Sequence, residues 1–83
     1  MMITPAQSRA ARGLTNITQA QLAAASGVSL RTIAHFEKGE RQPIPTNLAA
    51  IRAALEAAGV VFLADGEVAD GGPGVRLKGE AAQ

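Results

Sequence analysis

At 83 residues, with eight basic and seven acidic side chains and a formal net charge of +1, the chain has room for one domain with a modest core. It contains no cysteine, which excludes disulfides, thiolate metal ligands and thiol catalysis together. No apolar run approaches the roughly 18–20 residues of a membrane span and residues 1–15 lack a signal-peptide apolar stretch, so a soluble, cytoplasmic protein without membrane partners is expected.

The charge is unevenly spread. Residues 1–45 carry Arg9, Arg12, Arg31, Lys38 and Arg41 against Glu37 and Glu40, a net +3, whereas residues 46–83 carry a net −2. A basic half joined to an acidic half is the asymmetry of a protein with one phosphate-facing side.

In chain order, Thr4 and Pro5 supply the cap and first position of a helix that can run to Thr15, with Asn16 as a left-handed stop. Thr18 caps a second helix, Gln19 to Ser26, closed by Gly27; Ser29 caps a third, Leu30 to Lys38, closed by Gly39. Pro43 and Pro45 keep the loop 40–45 from continuing as helix. Thr46 caps a fourth helix, Asn47 to Ala58, closed by Gly59. Leu22, Ala23, Val28, Ile33, Phe36, Leu48, Ile51 and Leu55 fall at core-facing spacing, and Ile3, Ala10, Leu14 and Ile17 are placed to close that core.

After Gly59 the period changes. Residues 60–64 are a β-type apolar run, 65–74 are rich in glycine and aspartate, and Val75-Arg76-Leu77-Lys78 alternates apolar with basic. This predicts a C-terminal β-hairpin over 60–78, with Val75 and Leu77 facing in, and a frayed tail at 79–83. The domain boundary then falls at residue 59. A lone hairpin is marginal in water. It must pack on the helices of its own monomer or join a two-fold copy in a four-stranded sheet. A dimer through Leu55 and its neighbours on the fourth helix is the rival arrangement.

Residues 18–33 place two short helices on either side of a tight turn, with Ala23 small enough for a close crossing and Gly27 at the corner. This is the physical form of a helix-turn-helix. In that arrangement the second helix enters the major groove by its N-terminal end, which turns Leu30, Arg31, Ala34 and His35 to DNA and Ile33 and Phe36 to the core. Arg31 has the fork that suits guanine O6 and N7. His35 lies one turn further along the same face, within reach of a base or a phosphate. Leu30 could pack on a thymine methyl or stand exposed.

Arg12, Thr18-Gln19, Leu22-Ala23, Gly27-Val28-Ser29, Ile33, Phe36-Glu37-Lys38-Gly39 and Pro43 make residues 4–58 resemble the helix-turn-helix of phage Cro and repressor proteins, the XRE family. The resemblance implies a mainly α, four- to five-helix lambda-repressor-like domain, to which the C-terminal β-hairpin would be added. It implies that Gln19 grips a phosphate by side chain and backbone N–H, with Thr32, Lys38, Arg41 and Asn47 as further phosphate contacts and an anion site at the N–H groups of Thr46 and Asn47. It implies that Arg12 and Glu37 form an internal ion pair. Gln21 stands where the family usually has glutamate, and reads as a neutral surface change.

The function so implied is that of a sequence-specific transcriptional regulator of double-stranded DNA, a repressor rather than an activator, acting as a homodimer on a near-palindromic operator in a bacterial or phage nucleoid. A protein-interaction adaptor or antitoxin-type module on the same helices is the alternative. No cofactor, metal or small-molecule ligand is expected: His35 is the only histidine, with no carboxylate pair beside it. An enzyme is not indicated either, since Gly71-Gly72-Pro73-Gly74 reads as a turn, not a phosphate-cradling loop.

Overall fold

Each helix begins where the sequence supplies for its first, unpaired N–H groups. The computed structural model describes residues 2–76 and 78. Helix α1 (Pro5–Thr15) follows Thr4, whose hydroxyl accepts from the Gln7 N–H at 3.1 Å while the Gln7 side chain accepts from the Thr4 N–H at 2.9 Å. Helix α2 (Gln19–Ser26) repeats this reciprocal box with Thr18 and Gln21, at 3.0 and 2.9 Å. Gln21 is therefore a working cap residue; glutamine and glutamate serve equally there. Helix α3 (Leu30–Glu37) is capped by the Ser29 hydroxyl, which accepts from the Thr32 N–H at 3.1 Å.

Helix α4 (Pro45–Ala57) departs from the expected boundary. Its N-cap is Ile44, not Thr46, and no side chain bonds the first turn. Pro45 at the first position explains this, because proline has no N–H to satisfy and its φ is already helical. Helices α3 and α4 also end one residue sooner than read, with Lys38 and Ala58 as C-caps. Asn16 takes the left-handed stop after α1 at φ 58°, and Gly27 the one after α2 at φ 74°.

Helix α2 packs against α3 and α4, and α1 against the same pair. The core so enclosed holds Leu22, Ile33, Phe36, Leu48, Ile51 and Leu55, with Ile3, Ala11 and Val28 at its edge. Leu55 has no exposed surface, so a dimer contact through its side chain is excluded. On α1 the expected phase was wrong. Ala10 is exposed and Leu14 is 52% exposed, while Ser8 and Ala11 face inward. Residues 8, 11, 12 and 15 share one face of a 3.6-residue helix, and that face is chosen by the polar contacts of Ser8 and Arg12 described below.

The C-terminal β-hairpin is not formed: among the described residues there is no strand. Instead the Val60 N–H returns to the Leu55 carbonyl at 3.2 Å, and Phe62 inserts into the helical core with 8% of its surface left. The Arg52 guanidinium lies 5.9 Å from the centre of the Phe62 ring. A turn at Asp65–Gly66 is closed by the Glu67 N–H on the Ala64 carbonyl, 3.0 Å. The Arg76 guanidinium then reaches across to the carbonyls of Ala64 (3.1 Å) and Glu67 (2.5 Å). A side chain thus takes up carbonyls that a second strand would have paired. Val75 is exposed, not turned inward, and Leu77 and the tail 79–83 lie outside the described residues. Without a hairpin the four-stranded dimer sheet loses its basis. No helix among the described residues is long and apolar enough to cross a membrane.

Residues beyond Gly59 are therefore part of the core, through Phe62. Phe62→Ala should lower unfolding free energy by about 3 kcal/mol, whereas Val61→Ala, at an exposed position, should change it by less than about 0.5 kcal/mol. Urea denaturation measures both; equal effects of the two substitutions would contradict this packing.

Candidate nucleic-acid interface

Helix α3 has one buried side and one open side. Ile33, Phe36 and Glu37 are buried, so Leu30, Arg31, Ala34 and His35 are left on the flanks and outer surface, Leu30 and Arg31 exposed and Ala34 and His35 half-buried. Two concavities border the start of α3. The first is lined by Arg9, Arg12, Asn16, Gln19 and Leu30. The second is lined by Arg31, Thr32, His35, Arg41, Ile44 and Asn47. Lys38, the C-cap of α3, and Arg41 in the loop after it are exposed. The structure thus brings Arg31, Thr32, His35, Arg41 and Asn47 to one groove and puts Gln19 in the other.

Several of these groups have part of their bonding capacity already used. The Thr32 hydroxyl accepts from Ser29 Oγ at 2.8 Å, which leaves its own O–H to donate. The Asn47 N–H donates to the Ile44 carbonyl at 2.9 Å. The anion site read at the backbone of Thr46 and Asn47 therefore lacks the Asn47 N–H, because α4 starts earlier than expected; the Asn47 side chain still lines the groove. Gln19 Nε2 donates to Glu37 Oε1 at 3.1 Å, so its side chain is held by a buried carboxylate.

That carboxylate organises the domain. Glu37 is 2% exposed and pairs with Arg12 at 2.6 Å. Arg12 Nε also donates to both Glu37 oxygens, at 3.0 and 2.9 Å, and its third nitrogen reaches the Ile17 carbonyl at 3.3 Å. Ser8 Oγ donates to Glu37 Oε2 at 2.6 Å, and Arg9 donates to the Glu37 backbone carbonyl. Donors from α1 and α2 thus converge on the last residue of α3, and no buried side-chain polar atom among the described residues lacks a partner. Burial pushes the Glu37 carboxyl up, but hydrogen bonds from Arg12, Ser8 and Gln19, with the Arg12 charge, outweigh it and hold the group below the ordinary 4.5. The bond to Glu37 raises the Arg12 guanidinium in turn, against a smaller opposing effect of burial. Sequence reasoning missed Ser8, Arg9 and the bond from Gln19. The available signal was Ser8 four residues before Arg12, hence on the same helix face.

Glu37→Gln should cost about 3 kcal/mol at neutral pH, because it leaves a largely buried guanidinium without its counter-charge. Since the folded-state pKa lies below the unfolded one, the carboxylate stabilises fully above 4.5 and its contribution is lost as pH falls through the depressed value. Urea midpoints should therefore drop below about pH 4.5 in the wild type and less steeply in Glu37→Gln. Replacing Arg12→Met with Glu37→Leu should recover less stability than the same pair with Ser8→Ala added, because the pair alone strands the Ser8 hydroxyl. Equal midpoints for wild type and Glu37→Gln would contradict the account.

Comparison with protein families matches residues 9–58, more than half of the chain, to a helix-turn-helix family. The matched segment includes Arg12, Gln19 and the whole of α2, α3 and α4. No curated protein matches the chain. The family is one of DNA-binding regulatory domains, and its fold agrees with the four helices seen here. The chain belongs to the XRE/Cro-type helix-turn-helix family of DNA-binding regulators.

Proposed function

We propose that this DNA-binding regulator is a sequence-specific transcriptional repressor, acting as a homodimer that occupies a near-palindromic operator. The observation that carries the reading is the groove in which Arg31 and His35 of α3 stand beside Arg41 and Asn47. Side chains on α3 that are not needed by the core are those a major groove would meet. In this reading Arg31 forks onto guanine, His35 contacts the next base edge, and Leu30 and Ala34 exclude water and meet thymine methyls. Gln19, Thr32, Lys38, Arg41 and Asn47 hold phosphates and set the register.

Repression then needs only occupancy of the promoter. A single module buries roughly 600–1,000 Å² on DNA, a small interface, and two copies on half-sites roughly 34–36 Å apart are the usual remedy. With Leu55 buried and no hairpin among the described residues, the exposed alanines of α4, Ala49, Ala53 and Ala57, offer one row of small side chains for a two-fold contact.

Selection of bound sequences from a random double-stranded pool, followed by binding measurements on the enriched duplex, tests the proposal. Arg31→Ala should cost about 1–3 kcal/mol on that duplex and relax preference at one base pair. Lys38→Ala should weaken every duplex about equally and reduce the salt slope by about one. A palindromic consensus and a two-to-one protein-to-duplex ratio are expected. A pool with no enriched sequence would instead favour a protein-interaction role for the same surface.

A further inference from the structure

We propose that Arg9 of α1 is a further DNA contact, a clamp that donates to a backbone phosphate on the flank of α3 served by Gln19. This contact rests on the DNA-meeting role proposed for the surface around α3, and it comes from a helix that supplies none of the contacts proposed so far.

The two concavities beside α3 differ in charge. The one lined by Thr32, His35 and Asn47 also holds Arg31 and Arg41, and neither arginine pairs with a carboxylate among the described residues. The other contains Arg9 and Arg12, and the rest of its lining, Asn16, Gln19 and Leu30 included, is uncharged. Arg12 is bound to Glu37, so its charge is already matched. Without Arg9 this flank would meet DNA with no free cation. A helix lying in the major groove has a phosphate backbone on either side of it, and each is a row of negative charge.

Arg9 is exposed, and no carboxylate among the described residues pairs with it. Glu37 is beside it but has nothing to spare: Arg12, Ser8 and Gln19 occupy its carboxylate oxygens. Arg9 instead donates through Nη1 to the Glu37 backbone carbonyl. A guanidinium carries its N–H donors in a planar fork, so one such bond sets the direction of the plane and leaves the other donors free. Holding the fork in advance lowers the ordering cost of a long side chain on binding. Phosphate oxygens are acceptors that a fork can meet in pairs. An uncharged donor would cap the end of α3 equally well; the unmatched charge beside Gln19 is what points to an anion. Glu37 thus holds Gln19 by its side chain and Arg9 by its carbonyl, and both groups are referenced to the last residue of α3.

Phosphates carry no sequence, so any DNA duplex serves for the first test, with affinity measured from about 50 to about 200 mM salt. Losing one phosphate contact lowers the slope of log affinity against log salt by about 0.9. Arg9→Ala should therefore bind more weakly, with a deficit roughly threefold larger at the low end of that range than at the high end. Arg9→Gln, which keeps a donor without the charge, should show the same reduced slope, and Arg9→Lys should restore most of it. A capping role alone would move urea midpoints and leave the slope where it was. On the duplex selected from the random pool, phosphates are then replaced one at a time by neutral methylphosphonate. One replacement should weaken the wild type but not Arg9→Ala, at a position different from the one to which Lys38→Ala becomes insensitive. Wild-type slopes for both Arg9→Ala and Arg9→Gln, or no such phosphate, overturn the inference. If Lys38→Ala lowers the slope in the same measurements, Arg9 alone is misassigned and the DNA-facing surface stands; if neither residue moves it, that surface falls as well.

Discussion

A buried carboxylate at the end of α3 is the constraint around which this small domain is arranged. Glu37 sits where α3 stops, 2% exposed, and must find hydrogen-bond donors or leave a charge uncompensated. Arg12 and Ser8 from α1 and Gln19 from α2 supply them. The rotation of α1 follows from this need, because only one phase of the helix aims Ser8 and Arg12 together at α3. So does the setting of Gln19, whose side chain is fixed before any ligand arrives. A buried ion pair is poor evidence for stability in itself, since an apolar replacement can do as well. What the charged version adds is direction: it ties the end of α3 to the inner face of α1 and to the start of α2 at defined distances.

Function follows from what that arrangement leaves outside. The core consumes Ile33 and Phe36, the carboxylate cluster consumes Glu37, and the rest of α3 is free to meet a partner. Capping by Ser29 uses the Thr32 N–H but not the side chains of Leu30 or Arg31. The turn at Gly39 then carries the chain back past His35, so that Glu40 and Arg41 border the same surface. Rigid elements present the side chains, which lowers the ordering cost of binding.

Much of this was legible in the residues. Thr4, Thr18 and Ser29 mark three helix starts, Asn16 and Gly27 two stops, and the 3.6-residue spacing of Leu22, Ile33, Phe36, Leu48, Ile51 and Leu55 marks the core. Arg12 and Glu37 were readable as a pair through the family resemblance. The misreadings have physical causes. Ala10 and Leu14 were placed in the core because apolar residues usually decide a helix's phase, whereas here the polar Ser8 and Arg12 decide it. The hairpin was read from alternation in Val75-Arg76-Leu77-Lys78, but a period of two cannot distinguish a strand from an extended segment whose arginine caps a turn. Phe62 is drawn into the helical core instead, which alternation alone does not reveal. For the site, spacing grouped Arg31 with His35, while the contacts of Gln19 and Arg9 depend on how the chain folds back and carry no local signature.

The central claim is that the open side of α3, held by the Glu37 cluster, is the surface that meets DNA. Amide chemical shifts during titration with a duplex selected from a random pool test it most directly. The account predicts the largest changes at Gln19, Leu30 to His35 and Lys38 to Arg41, with Ser8 and the segment 60–76 little affected. Changes concentrated on the exposed alanines of α4 or on residues 60–76, with α3 unmoved, would contradict it.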